Sequence, residues 1–233
     1  SLKIGIGEPT EITLSYLHYE ENNVPDYGVP YYRKDPTGKS PASNDSIHGT
    51  DTPIDRIETF YGLRDFDNEK TNTDVLTLAV QHQINGNMSI KNATRLGQYD
   101  VDLRSSAPGL LFAKSSDALT DKTTITRGRK LRMREQEIMS NVTDLFWKFD
   151  TGSIQHDVLA GVEFTREKLL STSRVHLDTS GKEKPNPTTG LASCVLPTTT
   201  VGNPNTAGTP SNCSNTVNTY STESTADTMA FYA

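Results

Sequence analysis

Apolar and polar side chains alternate along much of the chain with a period of two, the pattern of a strand whose successive side chains leave on opposite faces. In "SLKIGIG" Leu2, Ile4 and Ile6 share a face, and in "EITLSYLHY" Ile12, Leu14 and Tyr16 do. In "TDVLTLAVQHQI" Leu76, Leu78, Val80 and Ile84 oppose Thr77, Ala79, Gln81 and Gln83. The return run "MSIKNATRLGQY" sets Met88, Ile90 and Leu96 against Lys91 and Arg95. Leu145, Trp147 and Phe149 line up in the next run, and Val158, Ala160, Val162 and Phe164 in the one after it. "TADTMAFYA" starts a further strand at the end of the sequence. Short turns are predicted at Gly7–Thr10, Asn85–Asn87 and Asp150–Ser153, where Gly, Asn and Thr supply turn chemistry.

The other connections, roughly 23–70, 103–125 and 175–223, are long and rich in Pro, Gly, Ser and Thr. Short turns on one side and long loops on the other are the arrangement of an outer-membrane barrel. The expected fold class is therefore all-β: an antiparallel up-and-down transmembrane β-barrel, with about seven strands present and long extracellular loops. The apolar runs match the ~9–11 residues a tilted strand needs to cross the hydrocarbon. Trp147 and Phe149, beside a short turn, suit an interfacial girdle.

The first long connection starts abruptly. The strand ending "EITLSYLHYE" runs into "NNVPDYGVPYY". Pro25 and Pro30 remove ladder donors and Gly28 allows turn angles, so the strand stops and a stiff, tyrosine-bearing loop begins. "ITRGRKLRMREQEIM" (Ile125–Met139) lacks clean alternation. It can be read as a basic amphipathic helix, as a nucleic-acid patch, or as a barrel strand continuing above the membrane with a bulge near Glu135. The last is preferred, because "NVTDLFWKF" follows directly.

Composition supports this picture. Of 233 residues only 33% are hydrophobic and the mean hydropathy is -0.57, low for an ordinary core of this size; a partly disordered chain, a loop-rich β protein and a transmembrane barrel that exposes apolar groups on one face only all fit these values. No apolar run reaches the ~18 residues of a membrane helix. A net charge of -6 argues against a dedicated nucleic-acid binder. Cys194 and Cys213 close one Thr/Pro/Asn-rich loop and are expected to form a disulfide, which implies an oxidising compartment; a metal pair would want His or further Cys nearby. The opening residues lack the basic start and apolar core of a signal peptide. His18, His48, His82, His156 and His176 are scattered, with no metal-site spacing. Asp65 and Asp67 in "RDFDNE" could hold a cation from one face of an extended segment, but solvated carboxylates are the preferred reading. No nucleophile elbow, phosphate loop or zinc motif is present, so no enzyme is expected.

Several segments resemble TonB-dependent siderophore receptors, particularly the catecholate and ferrichrome-type branch. These are "PDYGVP", "FYGLRDFDNEKTNTD" (Phe60–Asp74), "IKNATRLGQYDVDLR", "FDTGSIQHDVLAGVEFTRE" (Phe149–Glu167) and "STADTMAFYA". The resemblance covers most of the chain outside 33–53, 105–124 and 176–222. It implies a larger barrel plugged by an N-terminal domain, of which residues 1–233 would be an internal part of the barrel domain, with the plug and the C-terminal strands absent. It further implies an outer-membrane receptor for ferric siderophores that works with TonB through the plug, in contact with outer-membrane lipid and with no nucleic acid. The iron would stay wrapped in its siderophore, so no cofactor and no protein iron ligand are expected. Such a chelate is held by aromatic faces and cationic side chains. Tyr27, Tyr31, Tyr32 and Arg33 provide both at one end of the first long loop, and Phe60, Tyr61 and Arg64 at the other. A passive porin or a surface adhesin barrel is the alternative.

Overall fold

A computed structural model of the chain describes residues 1–34, 51–53, 57–109, 111–113, 120–176, 196–210 and 216–233. The strands of the main sheet are β1 (Leu2–Ile4), β2 (Thr10–Asn23), β5 (Asn68–Asn85), β6 (Met88–Pro108), β9 (Arg127–Thr151), β10 (Ile154–His176) and β12 (Thr216–Tyr232). They form one seven-stranded sheet in the order β1-β2-β5-β6-β9-β10-β12, with every neighbour antiparallel. The connections alternate as the sequence predicts. Gly86–Asn87 and Gly152–Ser153 suffice at one end, with Gly152 at a positive φ of 64° that a side chain would disfavour.

Five short strands, which the alternation does not predict, lie within the long connections: β3 (Tyr31–Lys34), β4 (Asp51–Pro53), β7 (Leu111–Ala113), β8 (Thr124–Ile125) and β11 (Thr199–Thr200). β4-β3-β7 make one small sheet and β11-β8 another.

Register fixes which side chains share a face. Leu14 lies opposite Leu78 and Leu2, and Leu76 opposite Tyr16 and Leu96. Leu96 lies opposite Met139, Leu145 opposite Ile90 and Ala160, and Phe164 opposite Met229. Most of the large apolar residues of the strands thus gather on one face, while Leu17, Phe146 and Leu159 fall on the other. They stay exposed, with Leu78 at 43%, Met229 at 64% and Phe231 at 75%. A continuous apolar face this large is a surface for lipid. The opposite face carries Gln81, Lys91, Arg95, Asp144 and Glu163, as a lumen does. Near the short turns Trp147, Phe149 and His156 stack in succession, with ring centroids 4.4 and 4.8 Å apart, and make one side of an aromatic girdle.

Residues 127–139 are strand throughout, so no helix forms there. The bulge expected near Glu135 is absent. Glu135 pairs in unbroken register with Asp100 and Leu170, and the register shifts instead fall at Gln83/Asn85 and Ser173/Arg174. The alternation fails to show in this stretch because charged residues occupy both faces where the strand leaves the membrane, not because the backbone is irregular.

Candidate functional site

Most of the large buried side chains among the described residues lie outside the strand wall, where the long loops meet. Tyr61, Ile125 and Val201 form one buried cluster, with Val29 packed against it; Leu63, Phe66 and Leu196 form another. Three connections separated widely in sequence thus share a core at the extracellular end of the sheet.

Arg127, the first residue of β9, ties them together. Its guanidinium donates to the carbonyls of Tyr61 (2.6 Å), Gly62 (3.3 Å), Pro197 (2.8 Å) and Asn205 (2.7 Å). A planar fork with five donors suits several acceptors at once, as the single charge of lysine does not. Asp67 makes the second tie. Its carboxylate accepts from the Leu63 amide (2.9 Å), the Ser106 amide (2.7 Å) and the Ser106 hydroxyl (2.8 Å), which anchors the 60–67 segment to the top of β6. Arg104 donates to the Phe66 carbonyl (2.6 Å) and covers its ring.

The expected pair of solvated carboxylates does not exist. The chain turns at 64–66 instead of running extended, so Asp65 stays exposed while Asp67 is buried. Burial, the largest influence, pushes the Asp67 carboxyl above the usual carboxylate range, and its hydrogen bonds hold it back only in part. A raised folded-state value favours folding below the ordinary carboxylate pKa, and that contribution is lost as pH rises through the raised value. The loop cluster should therefore be more resistant to protease at acid pH than at neutral pH. Asp67→Leu, which cannot titrate, should flatten the pH dependence of cleavage at 57–67, measured with a protease active across the range.

The predicted site residues fall into three groups. Tyr27 and Tyr31 are exposed, at 44% and 49%. The turn between them is set by Gly28, at a φ of +78°, whose amide donates to Asp26 Oδ1 (2.8 Å). Phe60 is half-buried with the exposed Arg64 guanidinium over its ring, 5.2 Å from the centroid. Val29, packed on the Tyr61 cluster, joins these two ends of the first long loop. Tyr61 does not belong with them. It is fully buried and its hydroxyl donates to the Val201 carbonyl (2.8 Å), so it is a pillar of the loop core and cannot meet a ligand in this arrangement. Of Tyr32 and Arg33 only the backbone, in β3, is described. Cys194, Cys213 and His48 lie outside the described residues. The sequence reading missed Arg127 and Asp67 as organising residues.

His18, His82 and His156 have structural neighbours, His156 being the one stacked on Phe149. His82 Nδ1 meets the Thr10 hydroxyl at 2.7 Å, and His18 Nδ1 meets Asp74 at 2.8 Å. No metal-binding cluster of His, Cys, Asp or Glu occurs among the described residues.

An all-antiparallel sheet with a lipid-type apolar face, a polar opposite face and a loop cap on one end is part of an outer-membrane β-barrel. The comparisons carry the assignment further. The chain is 32% identical over 169 residues to the catecholate siderophore receptor Fiu of Escherichia coli K12, covering 72% of this chain and 22% of that protein. It is 30% identical over 204 residues to a probable TonB-dependent receptor, BfrD, of Bordetella pertussis, covering 88% and 24%. The crystal structure of the ferric-catecholate import receptor Fiu from E. coli K12, open form, superposes with a TM-score of 0.66 at 27% identity, over 97% of this chain and 31% of that one. No family model matches the chain. The chain is thus similar over most of its length to TonB-dependent receptors of the outer membrane and spans less than a third of the length of these relatives.

Proposed function

We propose that the whole protein containing this chain binds a ferric siderophore at its extracellular mouth and imports it in a TonB-dependent manner, and that residues 1–233 supply part of the barrel wall and of the mouth. The observation that carries this reading is the extracellular loop cap. It is cross-tied by Arg127 and Asp67 into a firm base, with Tyr27, Tyr31, Phe60 and Arg64 around it. Exposed aromatic faces beside a guanidinium suit a flat, partly apolar, anionic chelate. Tyr32 and Arg33, continuing the same segment, belong to the proposed surface.

The chemistry proposed is capture and passage, with iron as cargo inside its chelator and no catalysis. The plug domain that would engage TonB, and the strands that would close the barrel, belong to other parts of the whole protein. Fiu carries catecholate in its name, and a ferric catecholate is accordingly the first class of ligand to test.

In the whole receptor, Tyr31→Ala with Arg33→Ala is expected to weaken binding of a ferric catecholate about tenfold or more while leaving outer-membrane insertion unchanged. Titration of intrinsic fluorescence on purified receptor measures the first, and membrane fractionation the second. Unchanged affinity for a chelate that the parent protein binds would remove these residues from the site.

A further inference from the structure

The stretch "KLRMREQE" (Lys130–Glu137) has no apolar alternation, yet it keeps a period of two in charge. β9 and β6 stay in register here, so Lys130, Arg132 and Arg134 share the lumen face with Arg95 and Tyr99. Glu135 and Glu137 share the outer face with Asp100 and Asp102. Above the apolar band the wall is therefore basic inside and acidic outside.

The three lumen-side cations are exposed and have no hydrogen-bond or ion-pair partner among the described residues. They recur about 6.6 Å apart along the strand. Their lumen-side neighbours Val101, Leu103 and Ser171 carry no countercharge, so the cations repel one another without an answering anion. The row starts at the cap: Lys130 lies opposite Ser105, and the next residue, Ser106, anchors Asp67.

The row ends on an aromatic step. The Tyr99 ring lies along β6 across Gly97, where even a Cβ would come within 2.8 Å of it. Its hydroxyl accepts from Arg95 Nη2 at 3.3 Å. The ring is half-buried and Arg95 is exposed. Gln136, opposite Tyr99, donates to Glu167 (2.5 Å), so that carboxylate is engaged on the far side of β9 from the ring.

We infer that this strip is a second ligand site, on the inner wall beneath the loop cap, for a trianionic tris-catecholate complex of iron(III). Arg132 and Arg134 face the anionic oxygen shell, one aryl ring of the chelator rests on Tyr99, and Arg95 closes the lower end. Lys130, at the level of the cap, receives the complex from the mouth. Cations and arene thus act on different parts of one ligand. Charge sets the selectivity. Each catecholate arm is a dianion, so the complex stays strongly anionic, whereas hydroxamate arms are monoanions and leave a neutral complex that no row of cations would favour. The inference rests on the siderophore-import reading and adds to it a position and a charge preference.

Photocrosslinking in the purified whole receptor tests it. p-Azidophenylalanine replaces Val101, in the row of Arg134 just above Tyr99, or Leu159, on the lumen face near the short turns. The probes are the iron(III) complexes of a synthetic tris-catecholamide and a synthetic tris-hydroxamate. Retention of each complex on the parent receptor is measured first by ultrafiltration. A parent that binds neither removes the import reading, and this site with it. In a parent that binds, the tris-catecholamide should be captured at position 101 at least fivefold over position 159, and fivefold over the tris-hydroxamate. Arg132→Gln with Arg134→Gln should lower that capture about tenfold, and Tyr99→Leu should lower it as well. Arg132→Lys with Arg134→Lys should restore most of it, a rescue that a folding defect cannot imitate. Capture at 101 no greater than at 159, capture undiminished in the glutamine pair, or retention of the tris-hydroxamate alone overturns the wall site while leaving import at the mouth in place.

Discussion

Arg127→Ala is expected to open the loop cap while leaving the barrel wall standing. The side chain is 8% exposed and donates to four carbonyls in two different loops. Removing it leaves those carbonyls without their donor and a void beside the Tyr61 cluster. An unsatisfied buried group costs ~1–3 kcal/mol, and partial rehydration will lower the sum, so a loss on the order of 3–5 kcal/mol is expected for the cap. The wall does not depend on this residue, because the β6, β9 and β10 ladders continue unbroken below it. Limited proteolysis of the membrane-embedded receptor should show rapid cleavage within 57–67 and 196–210, with the barrel's heat-modifiable migration on gels retained. Arg127→Lys should recover only part of the resistance, since an ammonium cannot span the same four acceptors. Loops that stay protected in Arg127→Ala would show that the cap is held by apolar packing alone.

Val162→Arg should have a comparably large effect of a different kind. Val162 shares the apolar face with Thr143 and Phe231 and lies midway between the girdle at His156 and the charged boundary at Arg166. An arginine on the lipid side near the bilayer midplane costs ~2–4 kcal/mol. Thr165→Arg, three residues on, points to the lumen and should be tolerated within about 1 kcal/mol. Denaturant unfolding of the whole receptor in vesicles compares the two. Equal destabilisation would mean that the faces are assigned wrongly.

The contrast between wall and cap also explains what could be read in advance. Most of the wall was legible because its apolar stretches follow a period of two: Leu76, Leu78 and Val80 declare their face without reference to any other strand, whereas the 127–139 part of β9 carries no such signal. Its turns were legible because Gly86 and Gly152 carry turn chemistry in the sequence itself. The cap was not legible. Tyr61 is buried by Val201, 140 residues away, and nothing in "FYGLRDF" distinguishes a tyrosine that packs from one that faces solvent. Arg127 went unnoticed for a related reason. Its acceptors are backbone carbonyls, which every residue possesses, so the most connected side chain of the cap leaves no signature in its partners. Asp67 misled because its polar segment was read as a solvated loop, whereas one turn at 64–66 carries the carboxylate into the core. Tyr27 and Tyr31 are exposed, where stiff prolines and an Asx-type turn around Gly28 hold the chain at the surface, and Arg64 is exposed over the half-buried Phe60.

The strands run on well after the apolar face has ended. Beyond Arg166, β10 continues to His176, ten further residues, and β9 rises beside it from Arg134 to Arg127. At ~3.3 Å per residue and a tilt of ~45°, this stalk lifts the loop cap about 20 Å beyond the end of the apolar face. That is more than two Debye lengths at physiological ionic strength, where the length is ~8 Å. A ligand of the proposed kind would therefore meet the loop cap where the field of charges at the end of the apolar face is largely screened, and a change in those charges should leave its first encounter with the cap unaltered.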